Sequence, residues 1–135
     1  MRVLFLCTGN SCRSQMAEGW LRHLAPGSFR ALSAGTHPVG VNPRAVRSMA
    51  EVGVDISAHT SDPITDFLED PPELVITVCD RAAETCPSFP GHTDVLRWSF
   101  EDPADAEGSE DEVMGEFARI RGEIREAIEG WLEAR

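Results

Sequence analysis

The sequence contains no lysine, so all twelve of its basic residues are arginines. Acidic residues outnumber them, and the formal net charge is −11. A nucleic-acid-binding protein needs a cationic face for the phosphate backbone, so this balance argues against DNA or RNA as a partner. An anionic ligand would have to be held by local geometry against an unfavourable overall field.

A long apolar run is also absent. Met1 to Cys7 carries one arginine and a short apolar stretch with no small-residue cleavage signal, which predicts neither a signal peptide nor a membrane span. We therefore expect a cytoplasmic protein with no membrane partner. A length of 135 residues predicts a single domain spanning 1–135, and we expect a monomer.

The four cysteines do not form a CxxC pair, and no neighbouring Cys or His has the spacing of a zinc site. In a cytosolic chain, such cysteines indicate redox or catalytic chemistry rather than a structural disulfide framework. The four histidines lack ligand or triad spacing, so we expect surface or capping roles for all of them: His23, His37, His59 and His92.

The most informative stretch is Val3 to Ser14, an apolar run that ends in Cys7 and leads into a short polar segment. It predicts a buried strand, a tight loop and the start of a helix. Gly9 allows unusual backbone angles, and a turning backbone can point several N–H groups at one anion. The following helix would present its positive end to the same point. The predicted oxyanion loop comprises Thr8, Gly9, Asn10, Ser11, Cys12 and Arg13.

Within this loop, Cys7 is the predicted nucleophile. Positive charge and a helix N-terminus can lower a cysteine pKa from about 8.5 to roughly 3.5–7.5. Arg13 can grip two oxygens of a tetrahedral anion, and Ser14 can donate a hydrogen bond to the thiolate or to a leaving group. We interpret Cys12 as a small structural residue; the alternative is a second thiol that protects Cys7 as a disulfide.

Strand and helix patterns alternate along the chain, which predicts an α/β fold: a three-layer sandwich with a four-stranded parallel sheet flanked by helices and the oxyanion loop after strand 1. The predicted strands end at Cys7 and span Phe29–Ala34, Leu74–Val78 and Val95–Trp98. Predicted helices run from the loop to Leu24, from Pro43 to Gly53, briefly after Asp62-Pro63, and from Val113 to Trp131.

Ligands of such sheets sit beyond the carboxyl ends of the strands, where both Cys7 and Cys79 are predicted to lie. Cys79 and Cys86 are seven residues apart, which is about 10 Å along a helix, whereas a disulfide needs Cα atoms within roughly 7 Å. If Asp80 to Thr85 is helical, oxidation must unwind it. The alternative is two unrelated buried thiols.

The loop Cys7-Thr-Gly-Asn-Ser-Cys-Arg-Ser14 resembles that of the low-molecular-weight tyrosine phosphatase fold. The run from Gln15 to Gly19 and the two late cysteines are similar to its thioredoxin-coupled arsenate reductase branch. The resemblance extends over Ser33-Ala34-Gly35, His59-Thr60-Ser61-Asp62 and Asp102-Pro103. It favours Asp102 over Asp62 as the general acid, because the fold places its acid in an Asp-Pro pair after the fourth strand.

The resemblance implies reduction of arsenate to arsenite, with a role in arsenical resistance. Cys7 would attack arsenate, Asp102 would protonate the departing oxygen, and a disulfide relay through Cys79 and Cys86 would be regenerated by thioredoxin without a bound organic cofactor. It also implies a potassium site; ordinary loop-bracing hydrogen bonds are the alternative for its residues Asn10, Ser33, Thr60 and Asp62.

Two other functions stay open. One is a tyrosine phosphatase acting through a Cys7 phosphocysteine, with Cys79 and Cys86 incidental or protective. Tyrosine-specific members commonly carry tyrosine after Asp-Pro, whereas Ala104 follows Pro103 here and the chain has no tyrosine. Phosphate and arsenate are nearly isosteric, so we still expect weak phosphatase activity. The other is a redox or oxyanion sensor without turnover.

Overall fold

The computed structural model describes residues 1–89 and 91–135, which form one parallel sheet with helices around it. The strand order is β2-β1-β3-β4, and each adjacent pair is parallel. The predicted four-stranded parallel sheet is therefore confirmed. Its strands are β1 (Arg2–Cys7), β2 (Arg30–Gly35), β3 (Leu74–Thr77) and β4 (Asp94–Arg97).

The helices have local sequence causes. Asn42 accepts a hydrogen bond from the Arg44 N–H and Pro43 occupies the first helical position, so the second helix starts there. A capping box between Ser109 and Glu112 begins the last helix three residues before the predicted Val113. The helices are α1 (Arg13–Leu24), α2 (Pro43–Ala50), α3 (Asp80–Thr85) and α4 (Glu110–Glu133), with 3-10 helices at Ile64–Phe67 and Pro103–Asp105.

The core lies around the two central strands. β3 is buried throughout and β1 is buried after Arg2, as their uninterrupted apolar sequences predict. Helix α1 packs on β1, β2 and α4, while α3 contacts β1 and β3. Trp20, Phe5 and Phe117 are among the largest fully buried side chains. Within the two described ranges, no helix is long and apolar enough to cross a bilayer.

Strand β4 is one of the two edge strands of the sheet, and its four residues are exposed. It begins and ends one residue earlier than predicted. The pairing nevertheless continues beyond its last residue, because the Trp98 N–H donates to the Thr77 carbonyl at 2.8 Å. The chain then enters the segment that carries Asp102, which lies at the carboxyl ends of the strands, as Cys7 does.

Candidate active site

The loop after β1 is held from outside through its carbonyl groups. A neighbouring segment, residues 36–42, donates backbone N–H groups to carbonyls of the loop. Because those carbonyls accept hydrogen bonds from outside the loop, the N–H groups of the loop can point toward the space above Cys7. The pairs are Thr36 to Cys7 at 3.2 Å, His37 to Thr8 at 2.8 Å, Val39 to Gly9 at 2.9 Å and Asn42 to Ser11 at 3.1 Å.

Asn10 supplies the unusual backbone conformation of the loop, with φ of 48°. We predicted that conformation at Gly9, and this was wrong. Asparagine tolerates the left-handed region better than most residues. At Gly9 a Cβ would lie 3.1 Å from the Cγ2 atom of the exposed Val39, a tight contact that a small shift of the valine side chain would relieve.

Cys7 is buried, at 2% exposure, and its sulfur has two polar neighbours. The Asn10 N–H donates to it at 3.2 Å, and the Ser14 Oγ lies 2.9 Å away. The Asn10 Nδ2 donates to the same Ser14 oxygen at 2.8 Å, which leaves the Ser14 hydroxyl hydrogen for the sulfur. This arrangement suits a sulfur that carries negative charge.

Arg13 spans the mouth of the site. Its Nη1 donates to the Phe100 carbonyl at 3.0 Å, and its Nη2 lies 3.5 Å from the Asp102 Oδ2. Asp102 accepts from the Ala104 N–H at 3.0 Å and so caps the 3-10 helix that begins with the buried Pro103. Tertiary folding therefore brings the predicted acid next to the predicted oxyanion-binding arginine.

Cys79 and Cys86 occupy the two ends of α3. The Cys79 sulfur accepts from the Ala82 N–H at 3.4 Å and lies 3.6 Å from the Thr8 Oγ1 in the oxyanion loop. Cys86 is the C-cap residue and is partly buried. Burial raises the pKa of the Cys86 thiol, and the positive charge of Arg97 opposes this rise. The six residues between the two cysteines are helical.

A cavity of about 830 Å³ joins these groups. Cys7, Arg13, Cys79 and Asp102 line it, whereas Ser14 and Cys86 do not. Two cations, Arg13 and Arg81, face a larger set of carboxylates around the same cavity. The acidic lining residues are Asp80, Glu101, Asp102, Asp105 and Glu123.

Cys12 is buried at 3% exposure directly before α1. Burial is the largest of several influences on its thiol, and together they raise the Cys12 pKa to about 12. A thiol in this state is a poor nucleophile near neutral pH, because the thiolate is the reactive form. The geometry therefore favours the structural interpretation of Cys12.

The four residues of the predicted potassium site all take part in hydrogen bonds within the protein. Ser33 donates to the Glu18 carboxylate at 2.6 Å, Thr60 donates to the Asp62 carboxylate at 2.9 Å, and Asn10 Oδ1 accepts from the Asp62 N–H at 2.9 Å. These contacts brace the loop, which was the alternative interpretation. Potassium binding itself stays a prediction.

We expected a surface or capping role for His59, and this was wrong. Its side chain is 7% exposed and lies between Gln15, Arg22 and Glu18. The Nδ1 is 3.0 Å from the Gln15 Oε1, and the Nε2 is 2.7 Å from the Arg22 Nη1. Because Glu18 and Arg22 are one helical turn apart, the sequence could show their pairing but not that His59 joins them.

Gln15 and Ser61 also support the loop, and this role was not predicted from the sequence. Gln15 Nε2 donates to the Asn10 carbonyl at 3.1 Å and to the Thr60 carbonyl at 2.9 Å. Ser61 Oγ lies within hydrogen-bond distance of the Gly9 and Asn10 carbonyls, at 3.3 and 3.1 Å. Both residues fell within stretches quoted only for their resemblance.

The sheet and the loop define a class of parallel α/β proteins whose first strand ends in a cysteine–arginine loop. Within that class, the chain belongs to the low-molecular-weight phosphotyrosine protein phosphatase family, whose model matches residues 2–134. The resemblance noted in the sequence is thereby confirmed.

Similar proteins of this family are named arsenate reductases. One from Halalkalibacterium halodurans is 47% identical over 97% of this chain and 94% of its own length. A solved structure described as an arsenate reductase in the phosphate binding state has a TM-score of 0.80 at 35% identity, covering 98% of this chain and 97% of that one. A thioredoxin-dependent arsenate reductase from Corynebacterium glutamicum has a TM-score of 0.72 at 30% identity, covering 99% of this chain and 63% of that one.

Proposed function

We propose that this protein is an arsenate reductase in which Cys7 is the nucleophile and thioredoxin is the electron donor. The observation that carries the proposal is the second thiol beside the loop: the Cys79 sulfur lies 3.6 Å from the hydroxyl of Thr8, the residue after Cys7. Hydrolysis of a phosphate ester needs one cysteine, whereas a two-electron reduction needs a second thiol to complete a disulfide. The relatives named arsenate reductases support the same conclusion.

In the first step, the Cys7 thiolate attacks arsenic and an arsenic–sulfur bond forms. One oxygen leaves as water, with its proton supplied by Asp102. Arg13 and the inward-facing amides hold the remaining oxygens. The Arg13 guanidinium contacts Phe100 and Asp102 in the free protein, and it turns partly toward the anion in this step.

In the second step, the Cys79 thiolate attacks the Cys7 sulfur. A sulfur–sulfur bond forms, and the electron pair of the broken sulfur–arsenic bond reduces arsenic(V) to arsenic(III), which leaves as arsenite. In the third step, Cys86 attacks Cys79, releases the Cys7 thiolate and forms the Cys79–Cys86 disulfide. Thioredoxin, at about −270 mV, then reduces that disulfide.

The third step requires a change in α3. Cys79 and Cys86 are its two cap residues, and six helical residues separate them. At 1.5 Å per residue they are about 10 Å apart along the axis, beyond the roughly 7 Å that a disulfide spans. We therefore propose that α3 unwinds on oxidation and exposes the new disulfide to the reductant.

Phosphate monoester hydrolysis is the second candidate function, favoured by the family to which the chain belongs. The same residues, Cys7, Arg13 and Asp102, would form and hydrolyse a phosphocysteine, and we propose this as a weak side activity. A redox or oxyanion sensor without turnover is the third and least supported function.

The test counts arsenite formed per enzyme, with thioredoxin, its reductase and NADPH present or omitted. The intact protein should turn over many times with the complete system, and Cys86→Ser should yield about one arsenite or fewer. Thr85→Ser is the control, because Thr85 is an exposed neighbour of Cys86 and the variant keeps all three thiols of the relay, so it should retain multiple turnovers. Hydrolysis of an aryl phosphate with no arsenite would replace this proposal with the phosphatase function.

Potassium is a separate proposal with its own test. Ser33, Thr60 and Asp62 line a cavity of about 430 Å³ together with Glu18, so oxygen ligands are present. Arg22 and Arg30 line the same cavity, and their charge opposes a cation. We expect a small rise in Tm in potassium chloride over choline chloride at equal ionic strength. Equal Tm values would reject potassium binding.

A further inference from the structure

The segment that carries Asp102, residues 101–108, has few polar contacts with the rest of the protein. Hydrogen bonds tie the chain to β3 and its extension only as far as Phe100, whose N–H donates to the Val78 carbonyl at 3.0 Å. In the part of the chain that the structure describes, two further contacts hold this acid segment. They are Arg13 to Asp102 at 3.5 Å and Arg119 to Glu101 at 2.9 Å.

Packing supports the acid segment at a few points only. The 3-10 helix Pro103–Asp105 contacts α4, and Ala106 packs against the core. A groove of about 720 Å³ lies beside these contacts, lined by Glu101 and Glu107 from the acid segment and by Gly115 and Ile120 from α4. Pro103 is the one buried residue of the acid segment. Because most of its residues are exposed or only partly buried, the polar tethers of the acid segment contribute to the position of Asp102.

Arg119 is held by several carboxylates at once. Its Nη2 contacts Glu101 at 2.9 Å, its Nη1 contacts Glu123 at 2.7 Å, and Glu116 bonds to both Nε and Nη2. Hydrogen bonds to Glu116 and Glu101 raise the pKa of Arg119 further above its already high value. Glu101 and Glu123 also line the active-site cavity, so Arg119 offsets negative charge beside the oxyanion site.

We propose that Arg119 is a positioning residue that holds the acid segment over Cys7 through Glu101, the neighbour of Asp102. The inference rests on the proposed function, in which Asp102 protonates the departing oxygen. Arg13 is the other residue that holds the acid segment, and its guanidinium group turns partly toward the anion when the anion binds. The bond between Glu101 and Arg119 then keeps Asp102 in place when its proton is needed.

Two variants separate this positioning effect from the effect of charge. Arg119→Gln breaks the tether and leaves Glu101 and Glu123 without their cation, so the maximal rate should fall and the half-saturating arsenate concentration should rise. Glu101→Gln breaks the same tether but removes one negative charge, so the rate should fall while half-saturation stays equal or decreases. The expected fall in rate is roughly 1.5- to fivefold, the range that an exposed ion pair supports, because the Glu101 side chain is mostly exposed.

The measurement is the rate of the first arsenite after pre-reduced protein is mixed with a series of arsenate concentrations, each in excess of the protein and without thioredoxin. Glu116→Gln is the matched control, because it removes a carboxylate from Arg119 but leaves the tether to Glu101; it should keep the intact rate. Hydrolysis of phenyl phosphate and 4-nitrophenyl phosphate gives a second readout. Since nitrophenolate leaves with little need of a proton, loss of Asp102 positioning should slow phenyl phosphate more. General structural damage would slow both esters alike.

The inference is overturned if Arg119→Gln and Glu101→Gln keep both the intact maximal rate and the intact ratio of ester rates, or if Glu116→Gln slows the reaction as much as they do. An intact protein that hydrolyses the esters but forms no arsenite would contradict the reductase proposal alone. The ester ratios would then still support or reject the role of Arg119. An intact protein with neither activity would overturn both.

Discussion

Asn10 joins the oxyanion loop to the rest of the protein. It is fully buried, and its N–H donates to Cys7. Its side chain links Ser14 to the Asp62 N–H, at 2.8 and 2.9 Å. The same residue adopts a positive φ, so one asparagine supplies a conformation, a hydrogen bond to the nucleophile and a connection to a distant segment.

We predict that Asn10→Ala lowers the free energy of unfolding by about 2–4 kcal/mol, because it leaves buried partners unpaired and strains the backbone. Asn10→Gly should lower it by about 1 kcal/mol less, since glycine adopts the left-handed conformation without strain. Urea unfolding of the intact protein and both variants measures this. Equal losses in the two variants would show that backbone strain contributes nothing.

His59 is fixed in one neutral form by its neighbours. The Arg22 guanidinium can only donate, so the Nε2 facing it must carry a lone pair, and the ring hydrogen lies on Nδ1 toward the Gln15 oxygen. Burial lowers the pKa of His59 below its ordinary value of 6.5, although Glu18 opposes this shift. Protonation of His59 would place its positive charge next to that of Arg22.

This lowered pKa predicts a pH dependence of stability. Below about 6.5 the unfolded chain protonates His59 more readily than the folded protein does, so unfolding takes up a proton. The stability that comes from keeping His59 neutral is complete above that pH, and it is lost as the pH falls through the pKa of His59 in the folded protein. We expect the urea midpoint to fall less between pH 6.5 and pH 5 in His59→Gln than in the intact protein. In the control variant His92→Gln, at an exposed histidine, the urea midpoint should change with pH as it does in the intact protein. The same pH dependence in His59→Gln would contradict the proposed role of His59.

Among the four α-helices that the structure describes, α3 is the shortest. It has six residues, of which only Ala82 is buried, and its N-cap acceptor is the sulfur of Cys79. Helices this short are marginal without tertiary packing, and sulfur is a weak hydrogen-bond acceptor. Such an element can unwind at low cost, which the proposed Cys79–Cys86 disulfide requires.

We predict that amide hydrogen exchange in residues 80–86 is faster in the protein oxidised at Cys79 and Cys86 than in the reduced protein, because α3 unwinds. Exchange in α1 and α4 should be unchanged and provides the internal control. Cys86→Ser treated with the same oxidant should keep the reduced pattern in 80–86. Equal protection of this segment in both redox states would contradict the switch.

At the scale of the whole molecule, charge works against the proposed substrate. The net charge is −11, and five carboxylates share the active-site cavity with two arginines. An oxyanion therefore approaches through a repulsive field and is held only at short range. Salt screens the long-range repulsion more than contacts inside a partly buried site.

We predict that kcat/KM for arsenate rises as sodium chloride increases from about 10 to about 150 mM, where the screening length shortens from about 30 to about 8 Å. The first-turnover rate at low arsenate measures this without the reductant. Sodium sulfate would confuse the result, because it offers a competing tetrahedral anion. A steady fall in rate with sodium chloride would mean that Arg13 and Arg81 dominate the approach.

The features that depend on neighbouring residues could be predicted from the amino-acid sequence. The strand that ends in Cys7, the arginine six positions later and the helix after it follow from local pattern, as do the proline-led start of α2 and the buried runs of β1 and β3. Local signals were less accurate at boundaries, since the Ser109 capping box begins α4 before its first apolar residue. Periodicity, glycine, proline and capping residues carry this information because they act within one or two helical turns.

Contacts between residues that are distant in the sequence could not be predicted, because they depend on how the chain folds. His59 reaches Gln15 across 44 positions, and Arg13 reaches the Phe100 carbonyl across 87. The backbone donors of residues 36–42 turn the carbonyls of the oxyanion loop outward, and Arg119 binds the neighbour of Asp102. No local pattern specifies these contacts, because they form only when the sheet brings its strand ends together and the helices pack around it.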